Sequence, residues 1–374
     1  MKIARAELTR VRLRLRAPIV TAGGAIDSRE GTVLALMAES DLVGHGEALP
    51  LAGFSEESPD STFESLSRLA RVLIGREVED LDVLLDLIEE LAPEAPAARA
   101  AVDVALFDLA ARAQGIDVAA MLAAPERPRA QIEVNALVYG ERPDIIAREA
   151  STAVAKGYRT VKIKVGARAL ERDEARVAAA RDAIGDEARI RLDANGGWAE
   201  REAEEAIARL APYRIELLEQ PIEARDLEGL ARLSARSPIP IAADEALAGG
   251  YAVDEIFARD AASILILKPA VLGGLRASQR IAARARAAGW GVVVTSALDS
   301  AVGLAAALQL AAALPGPHFA AGLATGALLD RDLAKAPLPI DGVLALPDEA
   351  GIGVAPLRDG LARCALGSVE EIRA

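Results

Sequence analysis

Six short apolar segments in the middle of this chain each close on a charged or hydroxyl residue, at positions 164, 193, 219, 244, 268 and 295. The intervals run from 24 to 29 residues, room each time for one helix and two loops. The segments are Thr160–Lys164, Ile190–Asp193, Ile215–Glu219, Ile239–Asp244, Ile264–Lys268 and Gly291–Thr295. Ile132–Val138 before them and about Pro317–Gly322 after them complete eight candidate strands. A βα unit repeated eight times predicts a closed parallel barrel. An open doubly wound sheet is the alternative, weakened because no Gly-x-Gly-x-x-Gly follows an early strand.

The flanks read differently. Strand-like runs cover Ile3–Leu15, Thr32–Glu39 and Val43–Ala48, and helical periodicity follows over Ser61–Ile74, Leu81–Leu91 and Ala97–Ala113. Beyond Ala324 the chain is loop-rich, with Pro337, Pro339, Pro347 and Pro356. The expected architecture is therefore α/β: a modified (β/α)8, TIM-like barrel over residues 129–326. An N-terminal α+β capping domain over 1–128 would be completed by the returning segment 327–374.

With 374 residues, 52% of them hydrophobic, the chain can bury a large core. Ala301–Pro317 is its most apolar run, broken by Gln309 and ended by Pro-Gly-Pro, and reads as a buried helix, not a membrane span. Met1–Arg16 alternates charged and apolar residues and has no apolar leader core. The single cysteine, Cys364, cannot pair within the chain, which makes a reducing cytoplasm the default. A net charge of −13 argues against nucleic acid and anionic membrane as partners. It leaves small-molecule chemistry, with or without a divalent cation. Nothing decides self-association, so a homo-oligomer stays open.

Only six of the 43 basic residues are lysine, and three of those stand at the ends of apolar segments: Lys162, Lys164 and Lys268. Arginine keeps its proton in a protein, whereas a desolvated lysine can release one. Solvated strand-end lysines are the plain alternative, and the lysines alone do not decide between the two. Between them the third, fourth and fifth barrel segments end in Asp193, Glu219 and Asp244, the last followed by Glu245. In a parallel barrel all these ends share the face where active sites form. A single strand-end aspartate is more often a helix N-cap. Three successive ones point instead to a shared cation. All-oxygen ligands favour Mg2+, with Mn2+ able to replace it.

Lysines flanking such a cation suit removal of a proton alpha to a carboxylate. One lysine is the base, and the cation and opposite lysine meet the enediolate charge. Lys162, two residues from Lys164 on a strand, shares its face and can help keep it neutral. His45 lies outside the barrel and His318 near its opposite end, so both read as structural. Cys364 is remote, and no Gly-x-Ser-x-Gly is present.

These residues resemble the enolase superfamily. Lys162-x-Lys164 on the second barrel strand and Lys268 on the sixth are similar to its muconate cycloisomerase subgroup. The mandelate racemase branch would need a histidine after the seventh strand, where this chain has Thr295-Ser-Ala-Leu-Asp-Ser300. Gly44-His-Gly-Glu-Ala-Leu-Pro50 and Gly53-Phe-Ser55 extend the resemblance into the cap. Thr295–Gly303 and Gly322-Leu-Ala-Thr-Gly-Ala-Leu-Leu329 look most like the o-succinylbenzoate synthases, although that family usually begins the first motif with two serines.

The resemblance implies Lys164 as acid/base, Lys268 as the cation facing the enediolate, and Asp193, Glu219 and Asp244 as Mg2+ ligands. Lys162, Asn195, Phe54, Ser55, Thr295, Ser296, Ser300 and Gly322 would support or contact the substrate. Pro18–Gly24 and Leu51–Ser55 would be lid loops. The implied reaction is dehydration of 2-succinyl-6-hydroxy-2,4-cyclohexadiene-1-carboxylate, a step of menaquinone synthesis. N-succinylamino acid racemisation is the nearest rival. Dipeptide epimerisation and muconate cycloisomerisation rank lower, and a non-catalytic barrel scaffold lowest.

Overall fold

The computed structural model of the chain describes residues 1–21, 24–248 and 252–373. Its first sheet is built on a long hairpin, β1 (Ile3–Thr21) and β2 (Gly24–Ala38), with β3 (Val43–Ala48) beside β2. Three helices follow: α1 (Pro59–Leu73), α2 (Leu81–Leu91) and α3 (Pro96–Gln114). The short α4 (Val118–Ala123) leads to the barrel.

The apolar alternation of β1 changes face along its length. Ala6 and Leu8 pack with Leu34 and Leu36 against the helices. Val11, Leu13 and Leu15, of opposite parity, pack against Leu329, Leu333 and Cys364. With a side-chain period of two, the two sets lie on opposite faces. The C-terminal stretch thus covers half of this sheet.

Helix α3 is almost wholly buried, because it is sandwiched between β3 and the barrel. Its alanines permit close approach, and the glycines of β3 complete the fit. A Cβ on Gly46 would stand 1.9 Å from the Ala101 carbonyl oxygen, and one on Gly44 would stand 2.1 Å from that of Ala105. The glycines of the Gly44-His-Gly-Glu motif are therefore explained by packing.

The short β4 (Gln131–Glu133) precedes the first barrel strand, β5 (Ala136–Val138), which is followed by α5 (Pro143–Ala155) and β6 (Thr160–Lys164). Then come α6 (Leu170–Ile184), β7 (Arg189–Asp193), α7 (Glu200–Leu210), β8 (Ile215–Glu219), α8 (Leu227–Arg236) and β9 (Ile241–Ala243). The series ends with α9 (Ala252–Ala258), β10 (Ile264–Leu267), α10 (Pro269–Leu272), α11 (Leu275–Ala287), β11 (Gly291–Val294) and α12 (Ala301–Ala313). Strands β5 to β11 form one parallel sheet in sequence order. After the barrel come β12 (Val343–Ala345), α13 (Arg358–Cys364) and β13 (Glu370–Arg373). β13 pairs with β1 on the side away from β2.

Two expectations need correction. Pro317–Gly322 is not an eighth strand. Ala321 bridges to Val134 and Gly322 to Thr295, joining the two edges of the seven-stranded sheet by isolated bridges. The amides of Ala321 and Gly322 bond to Glu133 and Val294, so the segment closes the barrel through these contacts and not through a ladder. Ile132–Val138 is not one strand but two, since β4 leaves the barrel to pair with β12. Helix α12 is buried as expected, and Gln309 within it is satisfied by the Ala119 amide and the Ile352 carbonyl. Among the described residues, no helix is long and apolar enough to cross a membrane.

Asp103 of α3 fastens cap to barrel by accepting from the amides of Leu275 (2.5 Å) and Arg276 (3.3 Å) at the start of α11. Burial pushes its carboxyl up to about 7, from an ordinary value of 3.8. Between about pH 4 and about pH 7 the folded protein then holds a proton that the unfolded chain has released, so stability falls as pH rises through that window. Asp103→Asn keeps an acceptor and cannot ionise. Its unfolding free energy, followed by denaturant titration, should fall less steeply over that window than the wild type's. Parallel slopes would mean that Asp103 is ionised in the fold.

Candidate active site

The C-terminal ends of the barrel strands open into a cavity of about 380 Å3. Strand register brings its charged residues together. Lys164 is the cross-strand partner of Asp193, and Asp193 of Glu219. Asp244 follows β9, the next strand over. Lys268 follows β10.

The ammonium group of Lys162 donates to both Glu219 oxygens at 2.7 Å and lies 2.7 Å from Asp193 Oδ2. Lys164 Nζ donates to the same Asp193 oxygen at 2.6 Å and to Asn195 Oδ1 at 2.7 Å. Across the cavity Lys268 Nζ donates to Asp244 Oδ2 at 2.5 Å and sits 4.0 Å from the centre of the Phe54 ring. Asn195 Nδ2 donates to Glu245 Oε1 at 2.8 Å, tying the β7 end to the loop after β9. Gln220 Oε1 accepts from the amides of Asp244 and Ala246. Three non-glycine residues just past strand ends have left-handed backbone: Asn195 (φ 45°), Gln220 (φ 38°) and Leu298 (φ 61°). All three line the cavity, where backbone strain commonly concentrates.

Asp193, Glu219 and Asp244 are all buried. Burial, and after it repulsion from neighbouring carboxylates, pushes Glu219 and Asp244 up. Burial acts on Asp193 too, but Lys162 and Lys164 outweigh it and hold that carboxyl well below the usual range. Burial alone would lower Lys162 and Lys268, yet the surrounding carboxylates hold both above the usual lysine range.

Among the described residues, no three acidic, histidine or cysteine side chains are disposed as a finished metal cage. The Lys162 ammonium bridges Asp193 and Glu219. The donor set nonetheless fits a hard divalent cation. It is anionic and all-oxygen, and Asp244 Oδ1 and Glu245 Oε2 are buried without a hydrogen-bond partner.

Of the residues singled out from sequence, Phe54, Lys162, Lys164, Asp193, Asn195, Glu219, Asp244, Lys268, Thr295, Ser296 and Gly322 line this cavity. Ser55 and Ser300 do not. Ser55 Oγ accepts from the Glu57 amide. Ser300 caps α12 and donates its hydroxyl to Glu47. Of the two expected lid loops, Leu51–Phe54 borders the cavity. Pro18–Gly24 needs correction, since residues 18–21 continue β1 and Gly24 opens β2, with Ile19 bordering the cavity and Ala22 and Gly23 outside the described residues.

Sequence reasoning missed Asn135, Tyr139, Gln220, Leu298 and Thr325, which also line the cavity. Tyr139 directly follows β5 and Gln220 follows β8, so the strand-end rule could have found both. Thr325, whose hydroxyl lies 2.8 Å from Ser296 Oγ, left no such signal.

Comparison with known proteins places residues 146–360 in the "Enolase C-terminal domain-like" family. Residues 3–123 match "Mandelate racemase / muconate lactonizing enzyme, N-terminal domain". The chain is 30% identical to L-Ala-D/L-Glu epimerase of Bacillus subtilis over 361 residues, covering 95% of this chain and 97% of the relative. It is 41% identical to o-succinylbenzoate synthase of Mycobacterium tuberculosis over 251 residues, 64% of this chain and 73% of the relative. The crystal structure of N-succinyl Arg/Lys racemase from Bacillus cereus superposes over the full length of both chains, with a TM-score of 0.92 at 25% identity.

Proposed function

The chain belongs to the mandelate racemase / muconate lactonizing enzyme family of the enolase superfamily, and from that premise we propose that it is an o-succinylbenzoate synthase. The substrate would be 2-succinyl-6-hydroxy-2,4-cyclohexadiene-1-carboxylate. The observation that carries this reading is the part of the cavity wall contributed after β11 and by residues 322–325. Thr295, Ser296, Ala297, Leu298, Gly322, Ala324 and Thr325 form it, with hydroxyls and apolar groups but no acidic side chain. Such a wall suits a neutral or anionic succinyl arm. It offers no carboxylate to the ammonium group of a dipeptide, which seeks one. Glu223, which lines the same cavity elsewhere, keeps dipeptide epimerisation as a competing reading. The 41% identity to a synthase points the same way.

In this reading Asp193, Glu219 and Asp244 hold Mg2+, which when bound supplies Lewis-acid stabilisation to the substrate carboxylate. Lys164 Nζ removes the proton alpha to that carboxylate. The C–H electron pair moves into the carboxylate as an enediolate. Its return expels the neighbouring ring hydroxyl, which leaves as water with the proton handed back by Lys164. Lys268 faces the developing negative charge from the opposite side. Lys162 holds Asp193 and Glu219 in place. Phe54 and the residues beside it close the cavity from the cap and exclude water.

N-succinylamino acid racemisation is the second reading. It is favoured by lysines at both ends of the carboxylate row, Lys164 on Asp193 and Lys268 on Asp244. Purified protein with Mg2+ should consume the cyclohexadiene substrate rapidly, seen as loss of its absorbance. Folded, Mg2+-loaded protein that leaves it intact but exchanges the alpha proton of N-succinylamino acids in D2O would replace the synthase reading with the racemase one. Exchange with dipeptides alone would replace both.

A further inference from the structure

Behind the hydroxyl-lined wall lies a buried polar junction that the catalytic groups do not use. Glu47, on β3 of the cap, accepts from the Ser300 amide at 2.9 Å and from the Ser300 hydroxyl. The same hydroxyl accepts from the Val302 amide and caps α12. Gly303 makes room for the contact, since a Cβ there would stand 2.4 Å from Glu47 Oε1. Asp299 turns its other way, accepting from the Ala297 amide at 3.0 Å. Arg29 of β2 holds the chain just past Glu47. Its guanidinium donates to the carbonyls of Leu49 (2.5 Å) and Pro50 (3.0 Å). Glu47, Arg29, Asp299 and Ser300 are all buried.

Each end of this junction leads to a different wall of the cavity. Leu49 and Pro50 are the foot of the segment Leu51–Phe54, which approaches from the cap. Asp299 and Ser300 directly follow Ala297 and Leu298, which line the cavity from the barrel. Leu298, with φ 61°, holds a backbone conformation that a leucine rarely adopts. It is flanked on both sides by hydrogen bonds that Asp299 and Glu47 supply.

We infer that Glu47 and Arg29 are positioning residues that couple the lid foot at Leu49–Pro50 to the substrate-facing loop Thr295–Leu298, so that the two walls are set as one unit. The inference rests on the cavity being the substrate site, not on which substrate fills it. Neither residue reaches the alpha carbon region, so loss of the coupling should weaken binding of the substrate's far end and spare proton removal.

The test is hydrogen–deuterium exchange on the full-length protein without substrate, comparing peptides over residues 49–55, 295–300 and 160–166. In Glu47→Ala, peptides 49–55 and 295–300 should both exchange about tenfold faster, the ordinary consequence of losing one buried acceptor. Peptide 160–166 should not change. Arg29→Met should speed the same two peptides, since coupling between sites is reciprocal. Glu47→Gln keeps an acceptor and should restore most of the protection. With an active substrate, Glu47→Ala should raise KM by about tenfold and change kcat far less.

Acceleration confined to the mutated side would overturn the coupling, as would a fall in kcat at constant KM. If Glu47→Ala does not fold, Ser300→Ala removes the Glu47 hydroxyl contact together with the α12 cap, and peptide 49–55, remote from that cap, then decides. The exchange readout needs no substrate, so failure of the synthase reading would leave it intact.

Discussion

Lys164→Ala should lower kcat for the dehydration by about 10³-fold or more, the scale of a lost general base, while the protein stays folded. The structure says why the variant is clean. Asp193 would lose one ammonium partner and keep the other, because Lys162 lies 2.7 Å from the same carboxylate oxygen. No buried charge is stranded, so the thermal midpoint should hardly move. Lys268→Ala differs. Asp244 Oδ1 already lacks a partner, and its Oδ2 takes its hydrogen bond from Lys268. Removing that lysine strands a buried carboxylate, at about 3–5 kcal/mol. The pair also separates the two chemistries. A dehydration that uses one base loses much more with Lys164→Ala than with Lys268→Ala. A racemisation that uses both lysines in turn loses comparably with either. Measured kcat for each variant, with thermal unfolding as the control, decides it. Full activity in Lys164→Ala would remove this lysine from the chemistry altogether.

The barrel was legible because its strands are short, apolar and β-branched, and because each ends where the chain turns polar. Asp193, Glu219 and Asp244 could be placed on one rim from spacing alone, since parallel strands share a C-terminal edge. The eighth strand was not legible as a mere pair of bridges. Spacing marks where a strand belongs, but not how many of its residues pair. Ser300 shows a different limit. Its place just before an alanine-rich helix is an N-cap signature, and its hydroxyl is taken by that role and by Glu47. Sequence similarity to a substrate-binding motif concealed that simpler assignment. The Ser296–Thr325 contact joins residues 29 apart across the barrel closure, and no local pattern encodes it. The Lys162 bridge between Asp193 and Glu219 was likewise hidden. Period two places Lys162 on the cavity face but does not say which carboxylates it will reach.

That bridge yields the sharpest expectation about the metal. The Lys162 ammonium is a charge shared by Asp193 and Glu219. Lys162→Ala removes it and leaves Glu219 without an ammonium partner, in a site where neighbouring carboxylates already repel it. Metal-free Lys162→Ala should therefore be less stable than metal-free wild type by about 3 kcal/mol. A divalent cation bound to the same oxygens replaces the missing charge. If these oxygens hold Mg2+ as proposed, the ion at about 100 times its Kd should stabilise the wild type by about 2.7 kcal/mol. In Lys162→Ala it also relieves the repulsion, so the Mg2+-induced rise in thermal midpoint should be larger than in the wild type. Asp244→Asn, which would lose one of the proposed anionic ligands, should show a smaller rise. EDTA should abolish turnover in the wild type, and excess Mg2+ should restore it. Calorimetry of the three proteins with and without Mg2+ provides the comparison. Equal midpoints with and without Mg2+ in all three, together with turnover indifferent to EDTA, would show that these carboxylates hold no cation. The lysine network would then be the site's resting chemistry.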